Sequence, residues 1–127
     1  MDLLLDTHSV IWFITENNQL STKAKRLIEE PSNICYVSIA SFWEMGIKYS
    51  LGKLQLNTNL NHIFELIDQS GFTILPIKTS HILMNSTLQF HHRDPFDRLI
   101  IAQAKNEGLT LISKDRMFKN YGENLVW

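Results

Sequence analysis

Four short apolar runs, each ending at a polar residue or a proline, constrain the fold of this chain more than any other feature. The first occupies residues 3–5 and stops at Asp6, where a helix-like segment follows almost at once. A continuous apolar run of this length is typical of a strand buried on both faces, as in a parallel sheet. The other runs lie at residues 34–37, 72–75 and 109–112. The sequence therefore predicts four buried strands, with a further edge strand at residues 124–127.

Segments with helical spacing of apolar residues separate these strands, mostly in pairs. They lie at residues 9–15, 22–30, 38–50, 59–69, 79–88 and 95–107, with a short helix at 116–119. This alternation predicts an α/β fold with a mainly parallel sheet of four or five strands and right-handed crossovers. A chain of 127 residues fits one domain, which we expect to span residues 1–127.

The composition argues against several classes of protein. No run approaches the ~18 apolar residues that span a bilayer, and we expect no signal peptide. The formal charge of -1 gives the whole molecule no attraction for nucleic acid, so such a partner needs a local basic patch. The single cysteine, Cys35, lies in a strand-like run, and we expect it in the core of a cytoplasmic protein.

Four acidic residues recur at similar structural positions. Asp6 ends the first strand, and Asp115 lies just beyond the fourth. Glu44 is in the helix after the second strand, and Asp97 is in the first turn of the helix before the fourth. Ligands of open α/β sheets bind at the carboxyl ends of the strands, and a crossover helix preceding a strand begins at that edge. We therefore expect these four side chains to meet.

The chemistry of such a cluster favours a divalent cation. Two carboxylates ~5 Å apart repel by roughly 3 kcal/mol at an effective dielectric constant of 20, and four carry several such terms. They must take up protons, disperse into water or hold a cation. Carboxylate oxygens suit hard ions, so we expect Mg²⁺ or Mn²⁺. Such an ion supports the attack of water on a phosphodiester.

Each of these acids also has a structural interpretation that the sequence leaves open. Asp6 could cap the helix that follows it, and Asp115 could cap the short helix after it. Glu44 stands three residues after Ser41, as in a capping box. The segment 94–97, Asp-Pro-Phe-Asp, is typical of an N-cap followed by proline, and its second aspartate gains from the helix dipole.

Other residues carry weaker signals. The five histidines show no spacing typical of a zinc site, and residues 91–93 are predicted to form a polar connector. His8 could contact substrate or order the turn after Asp6, whereas Trp12 and Trp43 are expected to pack in the core. Basic residues flank the acidic segments and could engage phosphates, although solvated surface is their default interpretation; they are Lys48, Lys53, Arg93, Arg98, Lys114 and Arg116.

Four motifs resemble those of PIN-domain ribonucleases, specifically the VapC-like toxins of bacterial toxin–antitoxin pairs. They are residues 4–8 (LLDTH), 38–44 (SIASFWE), 97–104 (DRLIIAQA) and 111–118 (LISKDRMF). Each motif is loose by itself, but all four occur in order and cover essentially the whole chain. The fourth motif often has threonine where this chain has Ser113, which keeps the hydroxyl.

The resemblance implies a three-layer α/β/α fold with an acidic pocket that binds Mg²⁺ or Mn²⁺ and cleaves RNA endonucleolytically. It also implies a cognate antitoxin that covers the site, and a homodimer. On this pattern Asp6, Glu44, Asp97 and Asp115 correspond to the catalytic, metal-binding acids. Asp94 is an additional acid that could supplement them.

Two other functions remain open on the sequence. A phosphoacceptor receiver domain also combines an α/β fold with acids and Mg²⁺, but it requires an adjacent pair of acids and an aspartate on a middle strand. The alternative is a catalytically silent RNA- or protein-binding module of the same fold. The identity of the RNA, whether transfer, ribosomal or messenger, is not encoded in any motif.

Overall fold

The computed structural model describes residues 1–122 and 124–127, and these form a five-stranded sheet in which every pairing is parallel. The strands are β1 (Asp2–Leu5), β2 (Ile34–Ser38), β3 (Thr73–Leu75), β4 (Thr110–Ile112) and β5 (Leu125–Val126). Their spatial order is β3-β2-β1-β4-β5, so β1 is central. The predicted α/β fold with its parallel sheet is confirmed.

Helices cover both faces of the sheet. They are α1 (Thr7–Ile14), α2 (Thr22–Glu29), α3 (Ile39–Ser50), α4 (Leu60–Gln69), α5 (Thr79–Ser86), α6 (Pro95–Glu107) and a 3-10 helix (Arg116–Tyr121). Within the described residues, none of these helices has the length and apolar character needed to cross a bilayer.

The alternating side chains of β1 divide the core into two layers. Leu3 and Leu5 join a cluster with residues of α1 to α4, whereas Leu4 joins one with residues of α6 and the 3-10 helix. All three leucines are fully buried, because successive side chains of a strand point to opposite faces and both faces are covered. The three-layer arrangement is therefore confirmed, and Cys35 is buried in the first cluster as expected.

The first helix begins earlier than the sequence predicts. It starts at Thr7 rather than Ser9, because Asp6 directly after the strand accepts a hydrogen bond from the Ser9 amide and so acts as the N-cap. Strand and helix therefore join without a connecting loop. This abrupt join holds the carboxylate of Asp6 at the carboxyl edge of the sheet.

The start of α6 lies at the same edge. Asp94 is its N-cap and accepts hydrogen bonds from the amides of Phe96 and Asp97, and Pro95 occupies the first turn. The helix ends at Gly108, whose φ of 66° is accessible to glycine at little cost. These local signals fix the direction of α6 and bring Asp97 to the ends of β1 and β4.

Of two predictions about tryptophan burial, one is wrong and one holds in part. Trp43 is 63% exposed, because the buried face of α3 is formed by Ala40, Ser41, Glu44 and Met45 and Trp43 lies outside it. Its indole meets Phe96 edge-on, with ring centroids 5.4 Å apart. Trp12 is half-buried and packs against the first core cluster, so the core prediction holds for it in part.

Arg98 is not available to bind phosphates. Its guanidinium is buried and donates hydrogen bonds to the carbonyls of Asn85, Leu88 and Gln89. These carbonyls follow the end of α5 or lie in its last turn, where helical partners are lacking. Arg98 therefore joins α5 to α6.

Candidate active site

One cavity of about 380 Å³ gathers all four acids that the sequence singles out. It opens at the carboxyl edge of the sheet, where β1 and β4 end and α3 and α6 contribute side chains. Asp94, the additional acid, lies in the same cavity. The described lining residues are Asp6, His8, Trp12, Glu44, Lys48, Asp94, Asp97, Lys114, Asp115 and Phe118. We call this cavity the acidic pocket.

Asp6 is held from two directions at the floor of the acidic pocket. Its Oδ1 accepts a hydrogen bond of 2.9 Å from the Ser9 amide, and its Oδ2 accepts one of 2.5 Å from the Ser113 hydroxyl. Burial raises the pKa of Asp6, and the two hydrogen bonds oppose that shift. Asp6 is thus both a helix cap and a pocket residue, and each oxygen keeps a lone pair for a further partner.

Glu44 faces the pocket from the second turn of α3. Its Oε1 accepts a hydrogen bond of 2.6 Å from the Thr7 hydroxyl, and its Oε2 lies 2.5 Å from Lys48 Nζ. The capping-box interpretation is wrong, because Ser38 is the N-cap of α3 and Ser41 is already inside the helix. The ion pair with Glu44 raises the pKa of Lys48, although burial of the ammonium acts in the opposite sense.

Asp115 is positioned by a chain of hydrogen bonds that ends at Tyr121. The Tyr121 hydroxyl accepts from the backbone N–H of His92 and lies 3.1 Å from its Nδ1, so its own proton is free to be donated to that nitrogen. In the neutral imidazole the remaining proton is then on Nε2, 2.7 Å from Asp115 Oδ2. Asp115 Oδ1 caps the 3-10 helix by accepting from the Met117 amide.

His92 is the residue that sequence reasoning missed. Residues 91–93 are predicted to form a polar connector, yet His92 is buried and stacks on Phe118 with ring centroids 4.6 Å apart. No local pattern marks it, since its partners lie more than 20 positions away in sequence. The fold brings His92 and Asp115 together, so their hydrogen bond leaves no periodic pattern in the sequence.

Asp97 lies in an environment that disfavours its charged form. Its pKa is raised to about 7, first by burial and then by the negative charges of Asp94, Glu44 and Asp6. Five carboxylates line the acidic pocket, and among the described lining residues only Lys48 and Lys114 offset them. The pocket is therefore anionic beyond what its own lysines neutralise.

The spacing of the side chains suits a cation. One donor atom each from His92, Asp97 and Asp115 lies within 4.8 Å of the other two. Because the Nε2 proton of His92 is directed at Asp115, the imidazole orients that carboxylate, and the oxygens of Asp97 and Asp115 are the available donors. Excess carboxylate oxygens with no nearby thiolate favour a hard divalent ion over a soft one.

A parallel α/β sheet with carboxylates converging where its strands end defines an α/β domain with an acidic, cation-attracting pocket. The sequence profile of the PIN domain family matches residues 3–124, and the chain belongs to this family. The membership excludes the receiver-domain alternative, for which the structure also offers no aspartate at the end of β2.

Known relatives agree with this assignment. The chain is 29% identical over 123 residues to Ribonuclease VapC22 of Mycobacterium tuberculosis, covering 94% of this chain and 91% of that protein. The solved structure of VapBC2 from Rickettsia felis, bound to a DNA fragment from its promoter, matches with a TM-score of 0.74 at 18% identity, covering 99% and 98% of the two chains. A toxin–antitoxin complex from Klebsiella pneumoniae matches with a TM-score of 0.66 at 20% identity, covering 98% and 96%.

Proposed function

We propose that this protein is an endoribonuclease that depends on Mg²⁺ or Mn²⁺ and acts as the toxin of a toxin–antitoxin pair. The observation that carries the proposal is the convergence of five carboxylates in one cavity of about 380 Å³. Membership of the PIN domain family and the similarity to a protein named a ribonuclease support the choice of reaction.

The donor set fits a hard divalent cation. Asp6 and Asp97 would hold the principal ion, and Glu44 and Asp115 would complete the pocket or hold a second ion. The raised pKa of Asp97 shows that the carboxylates lack sufficient positive charge of their own. When bound, the cation supplies Lewis acidity, which lowers the pKa of water and stabilises negative charge on phosphate oxygens.

The residues of the chain prepare the reaction by fixing geometry. Ser113 and the Ser9 amide hold the two oxygens of Asp6, His92 holds Asp115, and Lys48 and Thr7 hold Glu44. Carboxylates restrained in this way lose little freedom when they bind a ligand. Hydrolysis adds one water across the bond between phosphorus and O3′, which leaves a 5′-phosphate and a 3′-hydroxyl.

The proposed partner is a cognate antitoxin that covers the acidic pocket. Solved relatives that share the fold include a toxin–antitoxin complex, and the described surface carries the exposed aromatic side chain of Trp43, which packs against Phe96 at the start of α6. Exposed aromatic side chains beside a cavity are favourable anchors for a protein partner. We also propose a homodimer, and we place the reaction in the cytoplasm, where the free Cys35 stays reduced.

Incubation of purified protein with mixed single-stranded RNA tests the reaction. We expect cleavage with Mg²⁺ or Mn²⁺, none with EDTA, and 5′-phosphate ends on the fragments. Asp6→Asn should abolish cleavage while the circular dichroism spectrum is unchanged, because asparagine keeps the capping oxygen. Asp2→Asn, the same chemical change at the exposed start of β1, is the matched control and should cleave normally.

Two results would contradict the proposal. Cleavage that persists in EDTA would show that the reaction does not require a divalent ion. Equal cleavage by Asp6→Asn and the wild type would show that Asp6 has no role in the mechanism. Absence of cleavage by the wild type under every metal condition, with RNA still bound, would favour the catalytically silent module.

A further inference from the structure

A second cavity of about 340 Å³ adjoins the acidic pocket and has the opposite charge. We call it the basic cleft. Its cationic side chains come from three separate segments and are Lys23 of α2, Lys114 after β4, and Arg116 and Lys119 of the 3-10 helix. Among the residues that the structure describes, its lining includes no aspartate or glutamate. A chain with a net charge of only -1 thus concentrates four positive charges at one place.

The four cations have no ion-pair partner in the described part of the chain, although Lys114 also lines the acidic pocket, where its Nζ lies 5.9 Å from the centre of the Trp12 ring. None of them forms an ion pair with a carboxylate of residues 1–122 or 124–127. Lys25 of the same α2 helix provides a contrast, because it lines a different cavity together with Glu16 and Glu29. The positive field of the basic cleft is therefore available to a ligand.

The two cavities share a boundary built from adjacent residues. Lys114 lines both of them, and Ser113 lines the basic cleft while donating its hydroxyl to Asp6 in the acidic pocket. Trp12 in the acidic pocket meets Trp127 in the basic cleft edge-on, with ring centroids 5.9 Å apart. A ligand could thus extend from one cavity into the other past two half-buried indoles.

The position of the basic cleft beside the acidic pocket resolves an electrostatic difficulty of the proposed reaction. A phosphodiester chain that approaches five carboxylates is repelled, and a cation in the pocket compensates only the phosphate that it touches. Neighbouring phosphates need positive charge of their own beside the pocket. Cationic side chains next to aromatic rings are the combination that binds single strands without base pairing, since phosphates meet the charges and bases stack on the rings.

We propose that the basic cleft binds the phosphates of single-stranded RNA on one side of the cleaved bond, while Trp127 and Trp12 stack a base at the boundary with the acidic pocket. The inference rests on the proposed ribonuclease function and extends it to the course of the substrate. An acidic protein segment is the competing occupant. RNA is favoured because the cleft is continuous with the place where the scissile phosphate would lie and has aromatic rings at the junction.

The test measures binding separately from cleavage. All proteins carry Asp6→Asn to prevent hydrolysis, and their affinity for a fluorescent single-stranded RNA of mixed sequence is measured over a range of salt concentrations. The cleft variant is Lys23→Gln with Lys119→Gln. The control is Lys25→Gln with Lys53→Gln, which removes the same charge from residues that do not line the basic cleft.

We expect weaker binding and a shallower salt dependence for the cleft variant. The slope of log affinity against log salt should fall by about 1.4, since each phosphate contact on a single strand contributes roughly 0.7. The control should keep the slope of its parent. RNA should also quench the tryptophan fluorescence of the parent, and Trp127→Leu should remove much of that quenching.

Each contrary result overturns the inference in a distinguishable way. Equal slopes for the cleft and control variants, with normal RNA cleavage by the wild type, would reject the cleft and leave the proposed function intact. Failure of the parent to bind RNA, together with failure of the wild type to cleave it, would reject both. Polyglutamate binding that depends on Lys23 and Lys119, without a corresponding loss of RNA binding, would assign the cleft to an acidic protein segment.

Discussion

The hydroxyl of Ser113 donates a hydrogen bond of 2.5 Å to Oδ2 of Asp6, although 107 positions separate the two residues in the sequence. The contact exists because β1 and β4 are neighbours and pair in parallel, so that their ends coincide. The Ser113 oxygen also accepts a hydrogen bond from the Asp115 amide. One buried hydroxyl therefore connects the first acid of the pocket to the last.

Replacement of this hydroxyl should destabilise the protein. Ser113→Ala leaves Oδ2 of the buried Asp6 carboxylate without its donor, and a hydrogen bond to a charged group contributes about 1.5–3 kcal/mol. We expect a loss of that size in the free energy of urea unfolding at neutral pH, with reduced RNA cleavage. Ser32→Ala is the control, because its hydroxyl bonds Glu30 on the exposed surface and should matter by less than about 0.5 kcal/mol. A Ser113→Ala protein as stable as the wild type would contradict this role.

Asp97 should lower stability in the absence of metal, and the effect should depend on pH. Its pKa is raised from 3.8 to about 7, so between these values the folded state keeps a proton that the unfolded state has released. Stability therefore falls as the pH rises through this range and is unaffected by Asp97 below it. Asp97→Asn should flatten this dependence in EDTA and increase the unfolding free energy at pH ~7.5 by about 1–2 kcal/mol, allowing for partial exposure.

The matched control for Asp97 is Asp68→Asn, which makes the same change at an exposed position on α4. It should leave the pH dependence of unfolding as in the wild type. The contribution of Asp97 is the unfolding free energy of the wild type minus that of Asp97→Asn at each pH. If this difference rises between pH ~4 and ~7, Asp97 is not held in its protonated form.

Divalent cations should stabilise the folded protein. An ion that binds only the folded state adds about 2.7 kcal/mol when its concentration is a hundredfold above its dissociation constant. We expect Mn²⁺ or Mg²⁺ to raise the thermal midpoint of the wild type and to have little effect on Asp97→Asn. Calorimetric titration provides the binding constant directly. Na⁺ at the same ionic strength separates site binding from general screening, and an equal response of both proteins to every ion would indicate screening alone.

His92 should control how well Asp115 is held. Replacement of a group that orients a metal ligand typically costs 10–100-fold in metal affinity, and we expect about this loss of Mn²⁺ affinity for His92→Gln. Tyr121→Phe should act in the same direction but less strongly, because it removes the partner of Nδ1 and of the His92 amide but leaves the imidazole beside Asp115. His91→Gln changes the adjacent imidazole, which does not contact Asp115, and should bind Mn²⁺ normally. If all three variants bind Mn²⁺ with equal affinity, His92 does not position Asp115 for metal binding.

Arg98 should be required for stability and not for RNA binding. Its guanidinium donates to three carbonyls, an arrangement that the single ammonium of lysine cannot reproduce. We expect Arg98→Lys to reduce the unfolding free energy by about 2 kcal/mol. Arg93→Lys, at an exposed position, should be neutral. If the Arg98→Lys protein is folded but binds RNA more weakly than the wild type, Arg98 contributes to the substrate site.

Structural features that depend on residues close together in the sequence could be predicted. The strand at β1 and the cap and proline that begin α6 depend on residues within one or two turns of each other, so local pattern was sufficient. The convergence of Asp6, Glu44, Asp97 and Asp115 in one cavity also followed, because parallel strands place their carboxyl ends together. Their catalytic and metal-binding roles stay a proposal.

Features that depend on which helix face turns inward could not be predicted from local pattern. The capping box at Ser41 and Glu44 fitted the local sequence, but Ser38 is the N-cap of α3, and Glu44 pairs with Thr7 and Lys48 instead. Trp43, which its hydrophobicity assigned to the core, is exposed because it lies outside the buried face of α3.

The sequence by itself determined the alternation of strands and helices, and with it the edge of the sheet where the acids gather, because hydrophobic period and capping act over short distances. Only the tertiary structure decided which groups hold those acids. Ser113 reaches Asp6, and His92 reaches Asp115, across long stretches of chain. Such contacts arise from strand order and helix packing, and neither is encoded in the residues that finally touch.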